Sequence, residues 1–308
     1  MKKSIISLIT ILLLSLTVSS YSYAHSYVDP FLAKKANRIQ VQKLNMRESI
    51  FKLTDINGEE KAEKIPVLLY HHILEEEDIA INGWQHNTSI LSVEKFKEQM
   101  DYLYNNGYYT ATLDELEQFL QGNIQLPKKT VVITFDDGYL SNGVYAYPIL
   151  KEYGFRASIF MRGIYSEGEQ NPFDPNSSQV ISVNELHKYQ DVFEYGCHGY
   201  DIHRLDEFGM PLIKSLTQEL IMEDLGKNKS LFNTNYIAYP YGAYDEYSLY
   251  YIEELGYTLG FTVTEGYVDR SLNNYELPRF VISPYISMSR FENIINPDYK
   301  NTPILANN

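Results

Sequence analysis

The chain has 308 residues, 44% of them hydrophobic, which is enough for one large domain or two small ones with a sizeable core. Its formal net charge of −14, with no basic stripe to offset it, argues against a nucleic-acid partner held by phosphate contacts. A single cysteine, Cys197, excludes an intramolecular disulfide and a thiolate-rich metal centre, so any metal must be held by histidine and carboxylate.

Lys2 and Lys3 precede an apolar run over 5–18, followed by Ser22-Tyr23-Ala24. This is the layout of a secretory signal cleaved after Ala24, with an uncleaved N-terminal anchor as the alternative. The run is short for a permanent span, and no cysteine stands near the site to take a lipid. Residues 25–64 are mixed and charged and read as an N-terminal extension, 65–296 as the main domain, and 297–308 as a frayed tail. The expected location is secreted or cell-surface.

From Ile65 onward β-like and helix-like runs alternate. The pattern predicts strands over 66–70, 130–135, 157–161, 192–197, 236–239, 258–263 and 278–283. It predicts helices over 92–106, 113–121, 144–153, 183–189, 212–231, 245–255 and 288–295. Ser92 stands at one helix start, and Thr112 with Glu115 forms a capping box at another. Gly107, Gly122, Gly154 and Gly256 stand at helix ends. Such alternation implies an α/β fold with a mostly parallel sheet. Seven strands suit a barrel better than an open sheet, and in barrels the chemistry sits beyond the C-terminal ends of the strands. There is no internal repeat.

Three strand ends carry chemistry-bearing residues. The buried run Val131-Val132-Ile133-Thr134-Phe135 leads into Asp136-Asp137-Gly138. Two adjacent carboxylates there are costly unless something cationic is close. Adjacent residues point different ways, so one can ligate a metal while its neighbour addresses a water; an acidic turn is the plainer alternative. The second cluster is His198-Gly199-Tyr200-Asp201-Ile202-His203, two histidines five apart that converge only if the loop between them turns, a freedom Gly199 supplies. One carboxylate and two imidazoles make a facial set that leaves positions open for water and substrate. The third is Pro240-Tyr241-Gly242, a turn whose backbone N–H could face a developing oxyanion.

In this order and at these intervals, Thr134-Phe135-Asp136-Asp137-Gly138, His198…His203 and Pro240-Tyr241-Gly242 resemble the motifs of the polysaccharide deacetylases of carbohydrate esterase family four. The run Ile65-Pro66-Val67-Leu68-Leu69-Tyr70-His71-His72 is similar to that family's first strand. The resemblance covers about 65–296. It implies a distorted (β/α)7 barrel with a divalent metal, zinc first and Ni2+, Co2+ or Fe2+ as alternatives, that removes N-acetyl groups from amino sugars. It places the general base at Asp136, metal ligands at Asp137, His198 and His203, and an oxyanion-holding N–H at Tyr241.

Two positions depart from the family. Ala238 stands where many members carry an arginine, and no histidine follows His203 to serve as a late general acid. With the histidine spacing, these losses look most like the branch that partially deacetylates poly-β-1,6-N-acetylglucosamine in biofilms. In that branch a histidine of the opening strand is important, which points to His71; a core histidine bonded to backbone is the alternative. Arg156, Arg162 and Arg279 are the candidates to orient Asp136. The expected partner is an N-acetylglucosamine polysaccharide, with no nucleic acid and no evident obligate protein partner. Peptidoglycan, chitin oligomers, or a silent glycan-binding role on the same fold are the rival readings. His25 and His187 read as solvated, and His72 and His86 stay open. Trp84 stacks on a sugar or folds against the barrel edge.

Overall fold

A computed structural model describes residues 60–298. The expected signal 1–24, nearly all of the extension 25–64 and most of the tail 297–308 lie outside the described residues. Pairing begins ahead of the expected domain start: Lys128 N–H donates to Glu60 O and Ala62 N–H to Leu126 O, both at 2.8 Å. Among the described residues no helix is long and apolar enough to cross a membrane.

In chain order the first elements are β1 (Ile65–Tyr70), β2 (His72–Leu74), α1 (Glu76–Ile81), β3 (Ile90–Ser92), α2 (Val93–Asn105), β4 (Tyr109–Thr110), α3 (Leu113–Leu120) and β5 (Thr130–Phe135). Then come α4 (Tyr147–Glu152), β6 (Ala157–Met161), α5 (Gly163–Ser166) and β7 (Phe193–Cys197). The chain continues through α6 (Leu212–Ser215), α7 (Gln218–Phe232), β8 (Tyr236–Ala238), α8 (Glu246–Glu254) and β9 (Leu259–Phe261). It ends with β10 (Tyr267–Val268), β11 (Phe280–Val281) and α9 (Met288–Ile295).

The strands β1, β5, β6, β7, β8 and β9 pair in that order, all parallel. On its other side β1 takes β11, also parallel, with Leu68 opposite Phe280. Leu277, just before β11, bridges Phe261 of β9 and closes the ring. The result is the expected seven-stranded parallel barrel, distorted where β9 meets the segment before β11 through an isolated bridge and loop hydrogen bonds rather than a strand ladder. All of β1 and β5 is buried, as continuous apolar runs in a parallel sheet require. On α2, Phe96, Met100 and Leu103 recur on one face and bury against the barrel, where Phe96 meets the Tyr70 ring edge-on at 5.3 Å. The caps form as read: Ser92 accepts from Lys95 N–H, and Thr112 and Glu115 make the reciprocal box.

Three helices differ from the expectation. The run 144–153 begins as a π-turn over Asn142–Ala146 before α4. Pro148 has no N–H to give to Val144, so the ladder widens there. The run 183–189 shrinks to a 3-10 turn, Leu186–Lys188. The run 212–231 splits at Leu216 and Thr217, both extended, and Thr217 opens α7. Serine and threonine favour helix starts over helix interiors, which overrides the apolar spacing there. The parallel pair β2–β3, with α1 between, is an addition beside the barrel that the strand pattern missed.

At the N-terminal end of the barrel, Glu194 of β7 accepts from Leu113 N–H at the start of α3 and from the Ser158 hydroxyl of β6. Burial raises its carboxyl to about 7, against the pull of those donors and of Arg156. In the unfolded chain the proton leaves near pH 4.5. The protonated group's stabilisation is therefore complete below about pH 4.5 and lost as pH rises to about 7, up to about 3 kcal/mol. Glu194→Gln should flatten this loss and raise the urea midpoint at pH 8. An unchanged pH dependence in that variant would show that Glu194 ionises in the fold without cost.

Candidate active site and metal centre

Asp136 and Asp137 end β5, and Asp136 N–H is tied to Tyr70 O at the end of β1. Asp136 is buried, and the fully buried Arg279 grips it bidentately, Nη1 to Oδ1 at 2.7 Å and Nη2 to Oδ2 at 2.8 Å. Arg279 Nε also donates to Thr262 O, which fixes the guanidinium plane. Burial pushes the Asp136 carboxyl up, but Arg279, His198 and His71 outweigh it and bring it down to about 2. Of the three arginines considered from the sequence, Arg279 therefore holds Asp136. Arg162 instead donates to Asp137 O at 3.2 Å and lies 3.5 Å from its Oδ1. Arg156 bonds Asp191 O, away from the site.

Asp137 adopts φ +70°, a left-handed conformation uncommon for a residue with a side chain. Gly138 follows at φ +72°, where a Cβ would stand 2.9 Å from Met161 Sδ. This turn swings the Asp137 carboxylate towards the histidines. Its Oδ1 lies 3.4 Å from His203 Nε2 and 3.8 Å from His198 Nε2. Burial pushes the Asp137 carboxyl up, yet His198, Arg162 and His203 bring it below the usual carboxylate range. His203 is pushed down to about 4, first by burial and then by His198.

A divalent ion fits these residues. Asp137 Oδ1 is buried and has no hydrogen-bond partner, a cost that coordination would remove. His198 Nδ1 stands 2.8 Å from Ala238 O, and donation to that carbonyl fixes the tautomer and leaves Nε2 as a lone-pair donor. The three donor atoms all lie within 4.8 Å of one another. Asp136 stays outside the set, 3.9 Å from His198 Nε2.

The remaining expected residues fall around this centre. His71, between β1 and β2, is half-buried and interacts electrostatically with Asp136, Asp137, Arg279 and His198. Burial lowers its pKa, and the two aspartates offset part of that. Tyr241 adopts φ +59° and lays its ring 4.4 Å from that of His203; its N–H makes no hydrogen bond among the described residues. His72 is buried against Ser141 Oγ at 2.8 Å and stacks on Tyr139, whose hydroxyl reaches the Asp137 carboxylate. His86 is exposed, and His187 Nδ1 bonds Asn184 O on the surface. Trp84 is half-buried, its backbone N–H bonded to Ile79 O of α1. The sequence reading passed over Tyr139, although it directly follows Asp-Asp-Gly.

The polysaccharide deacetylase family profile matches residues 123–260, which contain Asp136, Asp137, His198, His203 and Tyr241. YxkH of Bacillus subtilis strain 168, named for this family, is 32% identical over 268 residues, covering 84% of this chain and 83% of its own. The poly-β-1,6-N-acetyl-D-glucosamine N-deacetylase of Staphylococcus aureus strain N315 is 29% identical over 63% of this chain and 68% of that one. Among solved structures, the deacetylase PplD of Streptococcus pyogenes with acetate superposes with a TM-score of 0.64 at 25% identity, covering 76% of this chain and 99% of that one. IcaB of Ammonifex degensii superposes with a TM-score of 0.62 over 77% and 98%, and at 24% identity it speaks for the fold. With the acid pair, the two histidines and the Pro-Tyr-Gly turn gathered at one end of a seven-stranded barrel, this chain belongs to the polysaccharide deacetylase family, amide hydrolases that act on the N-acetyl groups of glycans.

Proposed function

We propose that the chain is a metal-dependent N-deacetylase of an extracellular polysaccharide, with poly-β-1,6-N-acetylglucosamine as substrate, working outside the cytoplasmic membrane. One observation carries the chemistry. An aspartate held ionised by a buried arginine stands 3.9 Å from a histidine that, with His203 and the unpartnered Asp137 oxygen, forms a three-donor set. The similarity to the staphylococcal enzyme, the histidine spacing and the absence of a histidine after His203 support the substrate. The signal-like N-terminus supports the location.

A divalent ion held by Asp137, His198 and His203 would supply Lewis-acid polarisation of the acetyl carbonyl and acidify water. Asp136 takes the proton of the attacking water, since each of its oxygens keeps a lone pair beyond the one given to Arg279. The Tyr241 N–H faces the charge that develops on the carbonyl oxygen. His71 protonates the amine nitrogen as the C–N bond breaks, leaving acetate and a free amino sugar.

The test of the reading is acetate release from a panel of poly-β-1,6-N-acetylglucosamine, peptidoglycan and chitin oligomers, with metal content measured on the same sample. Release from the first alone supports the substrate, release from another reassigns it, and none from any favours the silent glycan-binding reading. His71→Ala should lower kcat by about 10²–10⁴-fold with little change in metal content. Because burial lowers the His71 pKa, turnover should fall as pH rises through it, and that basic limb should vanish in the variant. Near-normal turnover across the pH range would make Asp136, returning its proton, the sole acid–base group.

A further inference from the structure

His198 and His203 have unequal supports. His198 is fixed at both ends of the residue: its N–H donates to Met161 O at 2.9 Å, and its ring is tied to Ala238 O. Around the His203 ring stand the Asp137 oxygen at 3.4 Å and the rings of His198 at 4.7 Å and Tyr241 at 4.4 Å, while its backbone O accepts a 3.4 Å bond from the Tyr241 hydroxyl. These contacts hold His203 less firmly than Ala238 O and Met161 O hold His198, so the turn that precedes His203 bears on where it stands.

One side chain from α7 holds that turn. Asp224 accepts Tyr200 N–H on Oδ1 and Asp201 N–H on Oδ2, each at 2.7 Å. Successive N–H groups gathered on one anion make a backbone nest. Gly199, at φ +79°, lets the chain curl around it. One helical turn further on, Asn228 Nδ2 donates to Met161 O, the carbonyl that also takes His198 N–H. The carbonyls of Gly199 and Tyr200 accept from Gly163 and Ile164. One face of α7 thus holds both the root of His198 and the turn leading to His203.

We propose that Asp224 is a positioning residue that sets the separation of the two histidines and so the metal affinity of the site, acting through His203. The inference rests on the metal centre proposed above. Without the carboxylate, adjacent N–H groups lose their acceptor and the turn opens. His198 keeps its own anchors, whereas His203 leaves the Asp137 oxygen. Asparagine cannot substitute, because its amide offers one acceptor and sets an NH2 against the second N–H.

The test measures zinc affinity of the purified full-length protein by competition with a chromophoric chelator, for Asp224→Asn, His203→Ala and the double variant. Asp224→Asn should weaken zinc binding by about 10–100-fold, the usual worth of a group that orients a ligand. The double variant should bind no more weakly than His203→Ala alone, since the two changes remove the same leg of the site. Amide exchange at Tyr200 and Asp201 should accelerate in metal-free Asp224→Asn. Tyr257→Phe, which removes a buried hydroxyl bonded to Leu225 O of α7, should lower the Tm by about 2–4 °C and leave zinc affinity within about twofold. Asp224→Asn binding zinc like the parent, or effects of Asp224→Asn and His203→Ala that add, overturn the positioning role. Should His203→Ala itself bind zinc normally, the metal centre as assigned falls, and the inference with it.

Discussion

Asp136→Asn should lower kcat/KM by about 10³-fold or more while the protein keeps its metal. Asparagine preserves the shape of the side chain and can still accept one hydrogen bond from Arg279, but it cannot take a proton from water. Loss of a general base is worth about 10²–10⁴-fold, and here the attack on an unactivated amide depends on it. The metal should stay because the three-donor set omits Asp136. Asp137→Asn should do the reverse, since it removes the charge from the oxygen that faces both histidines. Metal content of the two variants, measured after equal dialysis, decides the assignment. If Asp136→Asn loses the ion and Asp137→Asn retains it, the roles of the two aspartates are exchanged.

Arg279→Met should be the most damaging single change outside the proposed metal ligands. Arg279 is completely buried and gives two hydrogen bonds to Asp136 and one to Thr262 O. Its removal leaves a buried carboxylate without its main counter-charge, a loss of about 3–5 kcal/mol. The Asp136 carboxyl, now near 2, should then rise, so the acid limb of the pH–rate profile moves to higher pH. The same pairing sets acid stability. A folded-state value of about 2 against 3.8 unfolded gives stabilisation present above about pH 4 and lost as pH falls towards 2, about 2–3 kcal/mol. In Arg279→Met this acid-side loss should vanish. Combining Asp136→Asn with Arg279→Met should recover part of the lost stability, because the unpaired charge is gone. Equal urea midpoints for Arg279→Met and the parent would show that Asp136 is satisfied by other groups.

Arg279 has a further meaning beside Ala238. The family resemblance leads one to seek an arginine two residues before Pro240, on β8; the structure supplies one from the segment between β9 and β11. Ala238 O, at the end of β8, holds the His198 ring that lies 3.9 Å from Asp136, and Arg279, just before β11, reaches the same carboxylate. Its service to Asp136 is electrostatic: it keeps the proposed base ionised at physiological pH, at the expense of basicity.

Several parts of this protein were decided by the sequence alone. Strands 130–135 and 157–161 stand at the bounds read from it, because an apolar run buried on both faces announces itself without help from its neighbours. The helix 288–295 and the box at Thr112 and Glu115 were equally plain, since capping chemistry is local. Asp136, Asp137, His198, His203 and Tyr241 were legible because each stands where a strand gives way to a loop, and a parallel barrel brings all such ends to one face. Tertiary structure decided what depends on distance through space. Three arginines looked alike in the sequence, and only the closure of the barrel through Leu277 carries Arg279 to a carboxylate 143 positions earlier. The break at Leu216 and Thr217 frees α7 to set Asp224 under the histidine turn, and nothing in the spacing of that helix foretells two amides waiting there. Periodicity records which face of an element is apolar. It is silent about which lone polar group on that face will meet a partner, because that is settled by the packing of elements far apart in the chain.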